Sequence, residues 1–469
     1  MSKAIFLAVM GVLSSCVTSP APSVRGFVLY HLSNRHGEIE PCGCQANQVG
    51  GLDRLVTFLG REPRDFPRLF VDAGDTFFSM VPVNPRRLEQ ETLRALLIAR
   101  TYKKQGLEFL TPGERDFAAG KEILKRLEME SGAQFLAANL TDSTGQLIYP
   151  AYRLIEKGGM KIGIVGVVDE GAFSNIAEVK VQPAIFSLRK VIGEVGRKVD
   201  FWVVLSHLGL ERDRVLALEV GKAIIVGSHS MDLLQPAEQV GECWLGQTKN
   251  EGQQVGKFSV TPSGIRPELV DLGKEYEEEN ETRRSLLAYR EQVKALEIDA
   301  AARADKIPPL ESAFVANRFT CRTCHLKQFE FWQRTRHASA YLTLYSKNQH
   351  FNSDCIGCHT LGFQDKRGFQ LAADPLVGKG ITLDEVLKNK GRNYRHDLKS
   401  WHDQGKVEKV FMDVQCEHCH GNRAGHPNPN VKTLKKVSLD TCRSCHRPPN
   451  APQFDPKMLA KVACPLSSR

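Results

Sequence analysis

Short apolar runs alternate with segments of helical periodicity between residues 25 and 270. Runs rich in β-branched residues predict strands, and apolar residues spaced three and four apart predict helices between them. The predicted strands are Gly26–Leu32, Arg68–Ala73, Gln134–Leu140, Lys161–Val168, Asp200–His207 and Lys222–His229. The predicted helices are Leu52–Gly60, Pro85–Gln105, Lys121–Glu130 and Phe186–Lys198. This alternation is typical of an α/β domain.

Polar side chains stand at or just after the ends of several predicted strands, namely His31, Asp75, His207 and His229. In α/β folds the carboxyl ends of the strands are where binding sites form. We therefore expect functional side chains at this edge of the domain.

Residues 274–306 differ in character, being rich in Glu, Ala and Leu and free of Gly and Pro. This composition predicts one long, solvent-exposed helix that acts as a semi-rigid connector. Pro308 and Pro309 end it, and a cysteine-rich segment follows.

The N-terminus has the pattern of an export signal. Lys3 precedes an apolar run from Ala4 to Leu13, which would rise only about 15 Å as a helix, too short for a membrane span. Leu13–Cys16 resembles a bacterial lipobox, which implies lipidation of Cys16; the alternative is a plain cleaved signal with an incidental cysteine. Either interpretation predicts an exported chain.

Eight of the 13 cysteines belong to four copies of the pattern C-x-x-C-H. The copies are Cys321, Cys324 and His325; Cys355, Cys358 and His359; Cys416, Cys419 and His420; and Cys442, Cys445 and His446. Each pair of thiols can bind the two vinyl groups of a haem, and the adjacent His can bind the iron. Zinc sites or disulfides would not require a His after every pair. The pattern predicts four covalently bound haem c groups.

Ten of the 14 histidines lie beyond residue 320, and four of them belong to these motifs. The spare imidazoles predict distal iron ligands. The candidates are His337, His350, His396, His402 and His426; His418, inside a motif, is the poorest placed.

The chain has globular composition, with 42% hydrophobic and 25% charged residues, and its positive charge is uneven. Residues 311–469 hold 25 Lys and Arg against 14 Asp and Glu, whereas residues 1–310 hold 38 against 40. A basic half suggests a nucleic-acid partner, but the propionates of four haems would offset most of this charge. We therefore predict no nucleic-acid partner.

Residues 318–447 resemble the multihaem cytochromes of the cytochrome c-554 type. The resemblance rests on the first three motifs with Phe329, Trp332 and the sequence Arg336–Ala338. It implies that His337 and His426 are distal ligands and that the haems pack closely enough for electron transfer. The family includes both electron carriers and haem enzymes, so catalysis does not follow from the resemblance.

Residues 25–265 look like the 5′-nucleotidase branch of the calcineurin-like metallophosphatases. The motifs that carry the likeness begin at His31, Asp72, Gly113, Ser206 and Val226. The resemblance implies a four-layer α/β/β/α sandwich with two metal ions at the strand ends, which activate water for attack on phosphorus.

The family's metal ligands are only partly present. One metal position is complete in ligand number, with Asp75, Glu114, His207 and His229. The other keeps His36 but has Asn34 in place of an aspartate and Met231 in place of Gln or His, and Arg115 stands where the family has a catalytic His. This pattern favours a repurposed or inactive domain over an active phosphoesterase.

Cys42 and Cys44 form a Cys-x-Cys pair in the loop after the first strand. Three interpretations remain open: a redox-active dithiol, a soft metal site with His36 or Met231, and a structural disulfide. The pairing of Cys243 and Cys464 is likewise open.

The predicted fold is a metallophosphatase-like sandwich, a long linker helix and a mainly α multihaem domain. The predicted segments are a signal peptide 1–15, a tether 16–24, the first domain 25–270, a linker helix 271–310, a tetrahaem domain 311–450 and a tail 451–469. The predicted function is electron transfer with a periplasmic or membrane partner, through a protein lipid-anchored to the membrane, with the outer membrane favoured, and with one divalent metal ion in the first domain. The alternatives are a metal-dependent phosphoesterase with an accessory haem domain and a docking module for a partner protein.

Overall fold

The computed structural model describes residues 25–41, 48–177, 179–230, 232, 234–303, 316–345, 347, 349–363, 368–369, 411–421, 437–446, 455, 457 and 464. The predicted signal peptide, the lipidation site Cys16, the Cys42–Cys44 pair and Met231 lie outside these residues, as do His396, His402 and His426. Among the described residues, no helix has the length and apolar character needed to cross a bilayer.

The first domain contains fourteen strands within the described residues. They are β1 Phe27–Leu32, β2 Arg68–Asp72, β3 Phe109–Leu110, β4 Gln134–Phe135, β5 Leu140–Asp142, β6 Tyr152–Lys157, β7 Met160–Val168, β8 Val179–Val181, β9 Phe201–His207, β10 Ala223–Gly227, β11 Glu238–Val240, β12 Cys243–Gly246, β13 Gln254–Thr261 and β14 Gly264–Asp271.

Helices cover the outer faces of these strands and continue into the second half of the chain. They are α1 Leu52–Arg61, α2 Leu88–Gln105, α3 Lys121–Ser131, α4 Ala184–Val195, α5 Leu210–Val220, α6 Glu281–Arg303, α7 Arg318–Arg322, α8 Leu326–Gln333, α9 Ala340–Tyr345, α10 Ser353–His359, α11 Cys416–His420 and α12 Leu439–Arg443.

Two six-stranded sheets and one short two-stranded sheet organise the first domain. The first sheet has the order β14-β13-β1-β2-β3-β4, the second has the order β11-β12-β10-β9-β7-β6, and β5 pairs with β8. Strands β1 to β4 run parallel, as do β7, β9, β10 and β12, so their carboxyl ends share an edge in each sheet.

The layer order follows from the alternation of side chains along the strands. In β9, Phe201, Val203 and Leu205 face the other sheet, while Trp202 and Val204 face the helices. Because both faces of this strand are covered, its sequence is a continuous apolar run. Helices α1, α2 and α3 cover the first sheet, and α4 and α5 cover the second, which gives the predicted four-layer α/β/β/α sandwich.

Most predicted elements are confirmed within one or two residues, but the predicted strand Gln134–Leu140 is wrong. The chain forms β4, leaves the sheet and then pairs again as β5. Between the two, the Ala137 N–H donates to Pro150 O and the Ala138 N–H donates to Gly166 O. These non-local partners take the backbone away from the ladder that the apolar run alone suggests.

The long helix after the sandwich is present, but the prediction of a solvent-exposed connector is wrong for its first half. Helix α6 begins at Glu281, and its residues Leu286, Tyr289 and Val293 are buried in the core formed with α1 and α2. A stripe of apolar residues three and four apart is enough to dock a helix. The Glu-rich average composition hides this stripe.

The described part of the second half of the chain is helical and has its own small core. Phe319, Trp332, Tyr341, Ile356 and Met412 are among its buried residues. A buried ion pair between Arg318 Nη2 and Asp413 Oδ2, 2.9 Å apart, ties α7 to the segment before α11.

This helical part contacts the first domain through polar side chains. Gln90 of α2 donates to Asn352 Oδ1 at 3.0 Å and accepts from Ser353 Oγ at 2.8 Å. Gln349 donates to Glu40 Oε2 at 2.6 Å. The residues directly before the second C-x-x-C-H motif are therefore fixed to the first domain.

Candidate metal centre and haem-binding segment

The carboxyl ends of strands from both sheets carry the predicted metal-site residues. They are Asn34 and His36 after β1, Asp75 after β2, Glu114 and Arg115 after β3, His207 at the end of β9 and His229 after β10. Residues far apart in sequence thus meet where the two sheets end together.

Glu114, His207 and His229 form a group whose potential ligand atoms all lie within 4.8 Å of one another. His207 Nε2 is 2.9 Å from Glu114 Oε2, and His229 Nδ1 is 3.5 Å from the same oxygen. Asp75 Oδ1 lies beside this group, 3.5 Å from His207 Nε2. Imidazoles and carboxylates suit Zn²⁺, Mn²⁺ or Fe²⁺, so the three residues fit one divalent ion, with Asp75 as the fourth candidate ligand.

The neighbouring backbone orients His207. Its Nδ1 lies 2.9 Å from Ala73 O, which leaves Nε2 facing Glu114 and Asp75. A hydrogen bond from the second ring nitrogen to a carbonyl is the usual way to fix a ligating His.

The two acids perturb this imidazole. Burial opposes the charged form, but the nearby Asp75 and Glu114 carboxylates outweigh it and raise the pKa of His207 to about 9. Burial alone would raise the pKa of Glu114, yet its hydrogen bonds to His207 and His229 lower it well below its usual range. Metal binding at this group therefore releases a proton from His207.

The loop that carries Asp75 is held by Asp116. The Asp116 carboxylate accepts the backbone N–H groups of Asp75 at 3.0 Å, Thr76 at 2.8 Å, Phe77 at 2.9 Å and Gly113 at 2.9 Å. One buried acid thus joins the loops after β2 and β3.

Strained backbone is concentrated at this site. Asn34, His36, Asp75 and His229 all have positive φ, at 49°, 54°, 54° and 74°. Residues other than Gly adopt this region at a cost of about 1–3 kcal/mol each, which occurs mainly where function fixes the side chain. The sequence contains a weak signal of it, since Asn, Asp and His tolerate the region best.

Asn34 does not face the metal group. Its Oδ1 accepts from Ser228 Oγ at 2.6 Å and from the His229 N–H at 3.0 Å, and its Nδ2 donates to Ser230 O and Asn250 Oδ1. Because both lone pairs of the amide oxygen are in use, the prediction that Asn34 is a weak metal ligand is not supported by this geometry.

His36 lies beside the second carboxylate oxygen of Asp75. Its Nε2 is 3.7 Å from Asp75 Oδ2, and burial lowers the pKa of this imidazole to about 3. The side chain is therefore neutral, and it lies near enough to the group to interact electrostatically with His207 and Glu114.

Arg115 is the residue whose role at the site the sequence did not reveal. Its Nε lies 3.0 Å from Asp75 Oδ2, its backbone N–H donates to Asp75 Oδ1 at 3.0 Å, and its Nη1 donates to Ser79 O. The sequence showed only that a catalytic His was missing at this position. Gly113 and Asp116 belong to a motif visible in the sequence, but the sequence indicated no role for either residue.

Gly113 makes the close approach of these side chains possible. A Cβ at this position would lie 2.3 Å from Asp75 Oδ1 and 2.6 Å from His207 Nε2. Gly113→Ala is therefore expected to displace the ligands, abolish metal retention and destabilise the fold by about 1–3 kcal/mol.

Metal content per chain and thermal unfolding measure this effect. Gly60→Ala is the matched control, because a Cβ at Gly60 of α1 meets nothing within 4 Å. The control is expected to keep its metal and to gain slightly in stability. Wild-type metal content in Gly113→Ala would contradict the assignment.

The second half of the chain carries the four haem-attachment motifs at short helices. The motifs begin at Cys321 in α7, Cys355 in α10, Cys416 at the start of α11 and Cys442 in α12. The imidazole of His359 has its Nδ1 2.7 Å from Ala340 O, which leaves Nε2 for a metal. This orientation fits an axial iron ligand.

His337 and His446 face each other in a way that fits two ligands of one iron. Their ring centres are 5.9 Å apart, with an interplanar angle of 54°. With metal–nitrogen distances of about 2 Å, imidazoles on opposite sides of one metal have ring centres roughly 6 Å apart. This distance fits His337 and His446 as the two axial ligands of one haem, an assignment that stays a prediction.

Other histidines are placed differently. His418 uses both ring nitrogens on the backbone, with Nδ1 accepting from the Gln415 N–H at 3.0 Å and Nε2 3.1 Å from Thr360 O. This agrees with its poor standing as a ligand. His350 packs against Phe351, with ring centres 4.1 Å apart and the rings tilted by 52°, and lies near Lys294 of α6; its ligand role stays a prediction.

The thiols of different motifs lie close together. Cys321 and Cys416 share a hydrogen bond, and Cys419 lies near Cys442 and Cys445. The first, third and fourth motifs thus converge. Cys243 and Cys464, in contrast, form no disulfide with a described cysteine; Cys243 is buried, which raises its thiol pKa to about 11.

Comparison with known proteins finds similar proteins for each half of the chain. The model of the family described as cytochrome c554 and c-prime matches residues 320–382. A cytochrome c-554 from Nitrosomonas europaea is 26% identical over 144 residues, which cover 24% of this chain and 61% of that protein.

The first half is similar to a different group of proteins. An apyrase from Tabanus yao is 28% identical over 242 residues, covering 46% of this chain and 42% of the apyrase. The structure of a 5′-nucleotidase precursor from Thermus thermophilus superposes with a TM-score of 0.50 at 24% identity, covering 58% of this chain and 59% of that one. The chain thus spans less than two thirds of each of these relatives. It is a fusion of a 5′-nucleotidase-like metallophosphatase domain and a domain of the cytochrome c-554 type.

Proposed function

We propose that this protein is an exported tetrahaem c-type cytochrome that transfers electrons, and that its first domain keeps the metallophosphatase fold without the complete two-metal site. The observation that carries the proposal is the pairing of His337 with His446 at 5.9 Å beside four complete attachment motifs. Bound haem would supply one-electron redox chemistry.

The residues around the motifs hold the ligands in place. The Asp413 carboxylate pairs with Arg318 and accepts the backbone N–H of Tyr341 at 2.9 Å. The Arg318 guanidinium also lies over the Trp332 ring, 4.8 Å from its centre. Fixed contacts of this kind limit the rearrangement that accompanies a change in the charge of an iron centre.

The contacts between the two halves support a route for electrons between them. Asn352 and Ser353, which are bonded to Gln90 of α2, directly precede the second motif at Cys355. The second haem would therefore sit next to the first domain, and a redox centre in that domain would exchange electrons through it.

The proposed location follows from the sequence. Covalent haem attachment and the apolar N-terminal run favour the periplasm, and Cys16 would anchor the chain through lipid to a membrane, with the outer membrane favoured. The partner would be a periplasmic or membrane-bound electron donor or acceptor.

A redox titration of the matured protein tests the proposal. Four haems are expected to accept about four electrons per chain, with reversible changes of the haem absorption bands. A pyridine haemochrome assay that finds two or fewer haems per matured chain would contradict the tetrahaem assignment.

The same titration tests the Cys42–Cys44 pair, which stays a prediction. A redox-active dithiol would add a two-electron couple, so the wild type should accept about two electrons more than Cys42→Ser/Cys44→Ser at equal haem content. Equal electron counts would exclude the dithiol and leave the soft-metal and structural interpretations.

A second candidate function is metal-dependent phosphoester hydrolysis. It is favoured by one observation, the group formed by Glu114, His207 and His229. Hydrolysis of AMP, treated in the Discussion, distinguishes it from the first proposal.

A further inference from the structure

The Asp75 carboxylate has two different neighbours on its two oxygens. Oδ1 faces the metal group, 3.5 Å from His207 Nε2, whereas Oδ2 faces the Arg115 guanidinium at 3.0 Å. A bridging carboxylate in a two-metal site would have a cation on each oxygen. Here the cation on the second oxygen is a side chain of the protein.

Among the residues that the structure describes, few groups on this side could bind a second metal ion. Asn34 has committed its amide oxygen to Ser228 and the His229 backbone, and among these residues His36 supplies the imidazole, 3.7 Å from Asp75 Oδ2. A divalent ion bound there would also be repelled by the fixed guanidinium of Arg115.

We infer that Arg115 replaces the second metal ion, so that the first domain holds one divalent cation and binds a tetrahedral oxyanion between that cation and the guanidinium. Two features support an oxyanion site between the cation and Arg115. The planar guanidinium offers several N–H donors matched to oxyanions. One divalent ion with Arg115 also outweighs the charges of Asp75 and Glu114.

The guanidinium is both held and accessible. Nε is fixed by Asp75 and Nη1 by Ser79 O, while 31% of the side chain remains exposed. A donor prepared in this way loses little freedom when an anion binds. This inference concerns the first domain alone and does not depend on the number of haems.

Metal analysis of the haem-loaded protein tests the inferred single divalent cation. After subtraction of haem iron, the Mn²⁺-loaded wild type is expected to hold one metal ion per chain. Asn34→Asp/Arg115→His puts a carboxylate at position 34 and removes the guanidinium from Asp75, so it should raise the content to two. Arg100→His is the matched control, because Arg100 is 55% exposed and pairs with Glu130 outside the site; it should keep one ion. Two ions in the wild type would overturn the inference.

Calorimetric titration with inorganic phosphate tests the inferred oxyanion site. This test does not require the double variant to fold. Arg115→Met is expected to weaken phosphate binding about 10- to 100-fold, the effect of losing a hydrogen bond to a charged group. Arg115→Lys should recover part of the loss, and Arg100→Met should bind as the wild type does. Unchanged affinity in Arg115→Met, or no phosphate binding by the metal-loaded wild type, would contradict the assigned anion site.

Discussion

Replacing His337 by alanine is expected to turn one haem from low-spin to high-spin without changing the haem content. The covalent bonds to Cys442 and Cys445 do not depend on His337, so haem attachment should be kept. The imidazole that faces His446 at 5.9 Å would be missing, and the iron would lose one strong axial ligand. About a quarter of the low-spin signal should therefore disappear from the electron paramagnetic resonance spectrum.

His418→Ala provides the control. The ring of His418 is engaged by Gln415 and Thr360, so its removal should leave the spin states as they are. An unchanged spectrum of His337→Ala would remove this ligand assignment, while four haems could still be present with other distal ligands.

The release of phosphate from AMP is expected to be very slow, even with added Mn²⁺. Of the groups that a two-metal phosphatase uses, this chain has Asn34 in place of a carboxylate and Arg115 in place of the catalytic His. A metal ion that activates water or stabilises the leaving oxygen contributes several kcal/mol. Its loss therefore lowers the rate by about 10³-fold or more, since each 1.36 kcal/mol is a factor of ten.

A phosphate-release assay of the wild type and Asp75→Asn measures this. Both are expected to release phosphate at similarly low rates. Efficient, metal-stimulated release by the wild type that disappears in Asp75→Asn would favour the phosphoesterase as the function of the first domain. Such a result would not contradict the inference of one metal ion per chain, which the metal analysis tests separately.

The two halves of this protein differ in how their chemistry is built. In the haem-binding half, each attachment motif is local, because its two thiols and its imidazole lie within five consecutive residues. In the first domain, the candidate ligands come from loops after four strands in two sheets. A local motif indicates the same chemistry in any fold, whereas the geometry of a site at strand ends depends on the position of every loop that contributes a side chain.

The sequence by itself determined the elements with strong periodicity and the chemistry with fixed spacing. Strand β9 is apolar throughout because both of its faces are buried, and this pattern is visible without coordinates. The spacing of the motif Cys321–His325 likewise predicts haem attachment without coordinates. The candidate ligands Asp75, Glu114, His207 and His229 are visible in the sequence because they lie at strand ends in the order of a known family.

The tertiary structure alone decided which of these groups meet and what surrounds them. Whether Arg115 pairs with Asp75, and whether Asn34 turns its amide toward Ser228, depends on loops that are distant in sequence. The burial of Leu286 on α6 depends in the same way on helices α1 and α2. The packing of the whole chain determines which groups surround a side chain. A charge or lone pair can bind a ligand only when no neighbouring group of the protein already uses it.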